Sequence, residues 1–105
     1  NRPDEALEIL KKDAAIAPED TEIELALGAV FCHRKEFAEA IPHYEKFLSE
    51  RPGEIDGLLG ISECYYQLGY TDSAMIGYDH ILKVDPENRQ ARNRINELRS
   101  QPVAT

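Results

Sequence analysis

The chain reads as an all-α solenoid of helical hairpins, and three observations predict that class. The first is a register of 34 residues: Ala40 has counterparts at Ala6 and Ala74, Tyr44 at Leu10 and Tyr78, and Pro52 at Pro18 and Pro86. The second lies in the other half of the unit, where Leu27, Gly28 and Phe31 are answered one period later by Ile61, Ser62 and Tyr65. An apolar residue, a small residue and an aromatic thus keep their places. The third is the spacing inside each unit, with apolar residues at offsets of three and four, as on one face of a helix. A fixed period of this length marks stacked helix-turn-helix units that bury their apolar faces against one another. A length of 105 residues allows one such domain.

Each element follows from its residues. Pro3 opens a helix over 3–16 with Ala6, Leu7, Ile9 and Leu10 on one side. It is the second helix of a unit whose first helix is absent, and Pro18 ends the turn after it. Asp20 or Thr21 caps the next helix, with Glu24 three residues beyond Thr21 as in a capping box. That helix runs to His33, turns Ile23, Leu27, Val30 and Phe31 toward its partner, and has Gly28 where two backbones approach. A short turn over 34–36 returns the chain as an antiparallel helix over 37–50, in which Pro42 costs the bond to the Ala38 carbonyl. The hairpin recurs as a helix over 55–68, a break at Gly69, and a helix through Val84 capped by Thr71 or Asp72. Gly57, Gly60 and Gly77 each lower helix propensity by about 1 kcal/mol, so this unit is expected to be the looser one. Residues 88–100 form a last helix with only Ala91, Ile95 and Leu98 apolar, a solvating cap such as a repeat stack requires. The expectation is six helices in three antiparallel neighbouring pairs and no β-sheet. One domain spans 1–100: a half repeat over 1–20, full repeats over 21–54 and 55–88, a capping helix over 89–100, and a tail over 101–105.

Leu27, Gly28, Phe31, Ala40, Tyr44 and Pro52, with Ile61, Tyr65, Ala74, Tyr78 and Pro86, resemble the tetratricopeptide repeat pattern W-x2-L-G-x2-Y, A-x3-F, P. Glu24 and Leu58 stand where that family prefers Trp, Ser62 replaces a glycine, and Phe47, Ile81 and Asp13 replace a second small residue. The resemblance implies a right-handed solenoid of about two and a half repeats plus the capping helix. It also implies a module that binds proteins through a concave groove lined by the first helix of each repeat. Those residues would be Glu22, Leu25, Ala29, Cys32 and His33, then Asp56, Leu59, Glu63, Tyr66 and Gln67, then Gln90, Asn93 and Glu97. Helical spacing independently sets Glu22, Leu25, Ala29 and Cys32 on a face distinct from Leu27 and Phe31. Glu22, Asp56, Glu63 and Glu97 on that wall favour a ligand with positive charge, and Leu25, Leu59 and Tyr66 favour apolar anchors. Some repeats of the family clamp the carboxylate of chaperone tails with Lys and Asn. Leu25 and Ala29 occupy those places, which predicts no such clamp.

Other function classes find little support. Residues 1–88 carry 8 Lys and Arg against 19 Asp and Glu, an acidic body that repels phosphate backbones, so no nucleic acid partner is expected. No stretch approaches 18 apolar residues and no signal-like start is present, so no membrane partner is expected and the location is taken as cytoplasmic. Cys32 and Cys64 lack a zinc-ligand pattern and read as reduced thiols packed on helices. His33, His43 and His80 have no second ligand at helical spacing, so neither metal nor cofactor is expected. His33 beside Cys32 is the best nucleophile-like pair, but adjacent residues on a helix do not face each other. The chain is therefore read as no enzyme but an adaptor or scaffold for a protein or peptide partner. The alternative is a structural element that self-associates as a homodimer, or continues into further repeats, through an N-terminal edge of Leu7, Ile9 and Leu10. Ile16 extends the same apolar face.

Overall fold

A computed structural model describes residues 2–16 and 20–100 and contains six helices. They are α1 Arg2–Ile16, α2 Thr21–His33, α3 Phe37–Glu50, α4 Ile55–Gln67, α5 Thr71–Val84 and α6 Arg89–Ser100. No strand occurs among the described residues, and no helix is long and apolar enough to cross a membrane. Each helix packs on the next, and α2 also meets α4, so the first helices of successive repeats are neighbours. The expected three pairs are thus two hairpins, α2–α3 and α4–α5, with α1 and α6 covering their two ends. The expectations about Pro18 and about the tail over 101–105 fall outside the described residues.

The two hairpin turns share one device. Lys35 and Gly69, one period apart, both have positive φ, 61° and 81°. At the first turn the Glu36 amide donates to the Phe31 carbonyl at 2.8 Å and the Lys35 amide to that of Cys32 at 2.9 Å. The Tyr70 amide to Tyr65 at 2.9 Å and the Gly69 amide to Tyr66 at 3.1 Å repeat the pair. These bonds satisfy helix-end carbonyls in the Schellman arrangement, and the Tyr65 and Tyr70 rings supply its apolar contact with centroids 6.3 Å apart.

Helix starts differ from expectation in two places. Asp20 caps α2, its carboxylate accepting from the Glu22 amide at 3.0 Å. The Thr21–Glu24 capping box does not form, because Glu24 turns inward and is only 8% exposed. There it accepts from His43 Nδ1 at 2.7 Å and faces Lys46 Nζ at 3.4 Å, both on α3. This is the place where the family prefers Trp. The N-cap of α5 is Tyr70, with no side-chain bond, rather than Thr71 or Asp72. The turn is short enough that Tyr70 both closes α4 and opens α5.

The glycines of the second full repeat stand at close contacts between helices. A Cβ on Gly57 would come within 2.7 Å of the Phe47 ring, and one on Gly77 would collide with Ser62. Gly57 therefore makes room for Phe47, the large residue in a small-residue place. The core beside it joins Leu58, Ala74, Tyr78, Ile81, Ala91 and Ile95 from α4, α5 and α6, all buried. A second cluster joins Ala40 and Tyr44 of α3 to Ile61 and Cys64 of α4. Burial of a large apolar side chain contributes roughly 1.5–3 kcal/mol, so these shared residues hold successive repeats together.

At the N-terminal edge Leu7 is 5% exposed and already covered where α1 packs on α2. Leu10 is half-buried. Ile9 and Ile16 remain open at 60% and 83%. The proposed self-association edge therefore loses Leu7, since one chain suffices to bury it.

Candidate functional site

The helical spacing of α2, α4 and α6 brings one face of each to a common wall, and α3 supplies the floor. The chief opening is a cleft of about 580 Å³ lined by Ala29, Cys32 and His33 of α2, Leu59, Gly60 and Glu63 of α4, Gln90 of α6 and Tyr44 of α3. The Tyr44 ring lies between two glycines. A Cβ on Gly28 would come within 2.8 Å of it, and one on Gly60 nearer still. Its hydroxyl points at Cys32 Sγ, 3.7 Å away. Burial first, and then the neighbouring Cys32, push the Tyr44 hydroxyl well above the ordinary tyrosine range, so it stays a proton donor.

Beyond the cleft the wall is a closed polar network centred on Glu63. Its Oε1 accepts from Tyr78 Oη at 2.6 Å and Arg94 Nε at 2.7 Å, and its Oε2 from Arg94 Nη2 at 3.0 Å. Gln90 Nε2 lies 3.4 Å from Oε1. Burial would raise this carboxyl, but the hydrogen bonds from Arg94 and Tyr78 outweigh it and hold Glu63 below the usual carboxylate range. The same guanidinium donates from Nη1 to Glu97 at 3.0 Å and stacks over the Tyr66 ring, with Cζ 4.1 Å from the centroid. Tyr66 Oη donates to Glu97 at 2.9 Å. A forked guanidinium bound to one carboxylate through two nitrogens fixes orientation as well as charge.

Six of the wall residues read from the sequence, Ala29, Cys32, His33, Leu59, Glu63 and Gln90, meet in the main cleft. Gln90, Asn93 and Glu97 line a second opening of about 470 Å³ with Arg89 and Arg94. Leu25 packs against the α3–α4 core cluster instead, and Tyr66 is engaged by Glu97 and Arg94. Asp56 and Gln67 are exposed at opposite ends of α4, outside both openings. Glu22 is paired with Arg51. Three of the four acids thus have a cationic partner within the chain, Glu63 and Glu97 sharing the one Arg94, which weakens the basis for expecting a positively charged ligand.

Tyr44, Gly60, Arg89 and Arg94 are the site residues that sequence reasoning missed. Arg94 had a signal: it follows Gln90 by four and precedes Glu97 by three, on the face already chosen. Tyr44 had none, being a core position of the repeat whose ring shows in the cleft only because Gly28 and Gly60 leave it uncovered. Among the described residues no three metal-ligating side chains gather.

Antiparallel helical hairpins stacked so that every first helix contributes to one wall define a helical-repeat solenoid. The tetratricopeptide repeat profile matches residues 33–98, and the chain belongs to that family. It is 34% identical over 89 residues to the CTR9 homolog of Arabidopsis thaliana, a match covering 84% of this chain but only 8% of that protein. The first such domain of Spaghetti (RPAP3), solved with the HSP90 peptide SRMEEVD, superposes with a TM-score of 0.88 at 17% identity, over 93% of this chain and 78% of that one. The Arabidopsis OM64 domain gives 0.89 at 16% identity, over 96% and 84%. The second domain of human RPAP3, with the HSP70 peptide SGPTIEEVD, gives 0.84 at 13%, over 94% and 82%.

Proposed function

We propose that the chain is a protein-interaction module that holds a peptide or helix of a partner in the cleft between α2, α4 and α6. The observation that carries this reading is the cleft itself, built by three helices and mixing apolar walls with hydrogen-bonding groups. Ala29, Leu59 and the Tyr44 ring offer an apolar seat. His33 and Gln90 at its rim can bond a peptide backbone. Membership of a repeat family in which similar domains hold short peptides supports the same reading.

The ligand chemistry differs from that of the two chaperone tails. Both peptides end in an acidic run, whereas Leu25 and Ala29 bring no positive charge and Arg94 is occupied by Glu63 and Glu97. The fitting ligand is a peptide with an apolar anchor and little net charge. Panning a random peptide library on the purified domain, followed by calorimetric titration of the selected peptides, tests this. Ala29→Arg and Leu59→Arg, which fill the cleft, should each weaken binding by at least about tenfold, a loss of about 1.4 kcal/mol. Gln67→Ala should leave it unchanged. Equal affinity for wild type and both cleft-filling variants would overturn the reading. So would tight binding of SRMEEVD that persists in moderate salt.

The assembly reading retains one observation, the exposure of Ile9 and Ile16 on α1. Light scattering over a wide concentration range tests it. Ile9→Glu should shift any dimer toward monomer, and a monomer at every concentration would end it.

A further inference from the structure

The two cysteines, read from the sequence as reduced thiols packed on helices, face each other across the α2–α4 contact. Cys32 Sγ and Cys64 Sγ are 3.1 Å apart, within hydrogen-bonding distance for two sulfurs. Both thiols are free. A disulfide needs about 2.05 Å between sulfurs, so a closure of roughly 1 Å would join them. We propose that Cys32 and Cys64 form an oxidisable dithiol that a hydroperoxide converts to a disulfide within one chain, fastening α2 to α4 at the side of the cleft.

The two sulfurs have unequal roles by position. Cys32 lines the cleft and is partly open to solvent, whereas Cys64 is fully buried. Only Cys32 can meet an oxidant from solution. The hydrogen bond to Cys64, against the opposing effect of burial, and more weakly the Tyr44 hydroxyl, lower the pKa of the more open Cys32. Cys64 keeps its proton, since it serves as donor to Cys32 and is buried. A thiolate is the reactive form of cysteine, so the exposed sulfur is also the activated one.

The chemistry balances in two steps. The Cys32 thiolate attacks one oxygen of hydrogen peroxide; the O–O bond breaks, the other oxygen leaves as hydroxide, and sulfur is oxidised by two electrons to a sulfenic acid. The Cys64 sulfur then attacks Cys32 Sγ, forming the S–S bond. The S–O bond breaks, and the departing hydroxyl takes the Cys64 thiol proton to leave as water. This inference does not rest on the peptide-binding reading, because it requires only the folded chain.

The experiment treats the reduced, folded domain with stoichiometric hydrogen peroxide and reads intact mass, a tryptic map and dimedone trapping of sulfenic acid. Wild type should lose two hydrogens as a monomer, yield a crosslinked peptide containing Cys32 and Cys64, and trap little dimedone. Cys64→Ser should stop at the sulfenic acid and take dimedone at Cys32. Cys32→Ser should do neither, and Cys32→Ala repeats that arm with a smaller side chain, helical content being checked by circular dichroism. Closure should be at least about tenfold faster in the native chain than in urea, since the fold supplies the proximity. A stable sulfenic acid in wild type, a disulfide only between chains, or equal rates in buffer and urea would overturn the proposal.

Discussion

Replacing Gly60 by Ala separates packing from helix propensity, because the two predict opposite signs. In mid-helix an alanine is favoured over glycine by about 1 kcal/mol. In this fold the new methyl would enter the Tyr44 ring, well inside the 3.5–4.0 Å at which carbon atoms rest. The ring has little room to retreat, since a Cβ on Gly28 would also lie only 2.8 Å from it, so the backbone of α2 stands close against the same ring. Overpacking costs roughly 1–3 kcal/mol, and a ring crowded by two helices falls toward the upper end. The net expectation is a loss of about 2 kcal/mol, the overpacking cost less the propensity gain. At roughly 4–8 °C per kcal/mol for a domain of about this size, the thermal midpoint should drop by roughly 10 °C. Thermal and urea unfolding followed by circular dichroism measure it, together with a double-mutant cycle through Tyr44→Leu. In the Tyr44→Leu background the ring is gone and Gly60→Ala should become neutral or stabilising. A midpoint that rises in the wild-type background, or an equal effect in both, would refute the argument.

Three further outcomes are expected. Ser62 Oγ is buried without a hydrogen-bond partner, so Ser62→Ala should stabilise the chain by about 1 kcal/mol in urea titration, the usual cost of an orphaned hydroxyl; a loss of stability would reveal an unrecognised partner. Asp20→Ala should cost roughly 0.5–2 kcal/mol through the lost cap of α2, whereas Thr21→Ala should change little, and the reverse order would restore the capping box. Because the folded-state pKa of Glu63 is depressed, its contribution is complete above the unfolded carboxyl value of about 4.3 and disappears as pH falls through the lower folded value. Glu63→Gln should therefore be less stable than wild type above about pH 5, with the two unfolding curves converging as pH falls below the unfolded carboxyl value; a gap that does not narrow there would mean the carboxylate's charge is not the source.

The helices were legible because their signals are local. Leu27, Ala40 and Tyr44 recur at the repeat period, and Gly69 marks a turn that only a left-handed residue closes. The same turn at Lys35 carried no such mark, since a lysine at φ 61° is held by the Schellman bonds rather than by its own preference. Glu24 misled for a related reason. It satisfies the local pattern of a capping box, but His43 and Lys46, brought over by the returning helix, offer a carboxylate better partners than an exposed helix end. The glycines misled in the opposite sense. Read along the helix they cost propensity, but read across it they admit Tyr44, Phe47 and Ser62.

The wall residues show why a repeat register identifies a face but not its contacts. Equivalent residues recur every 34 positions, yet the side chains that touch between neighbouring first helices are separated by less. Cys32 and Cys64 are 32 apart, while Glu63 to Arg94 and Tyr66 to Glu97 are both 31 apart. The difference from the period is two or three residues, up to about one helical turn, as adjacent first helices slide past each other by nearly that amount. Carried back one repeat, the 31-residue spacing pairs Ala29 with Gly60, and both line the main cleft. Where the pair is large and polar, as at Glu63 and Arg94, the wall is bridged and its charge is spent internally. Where the pair is Ala29 and Gly60, almost no side chain fills the seam and the Tyr44 ring is left as its floor. The cleft thus lies where the contact rule falls on two small residues, which is why a residue as large as arginine at Ala29 should close it.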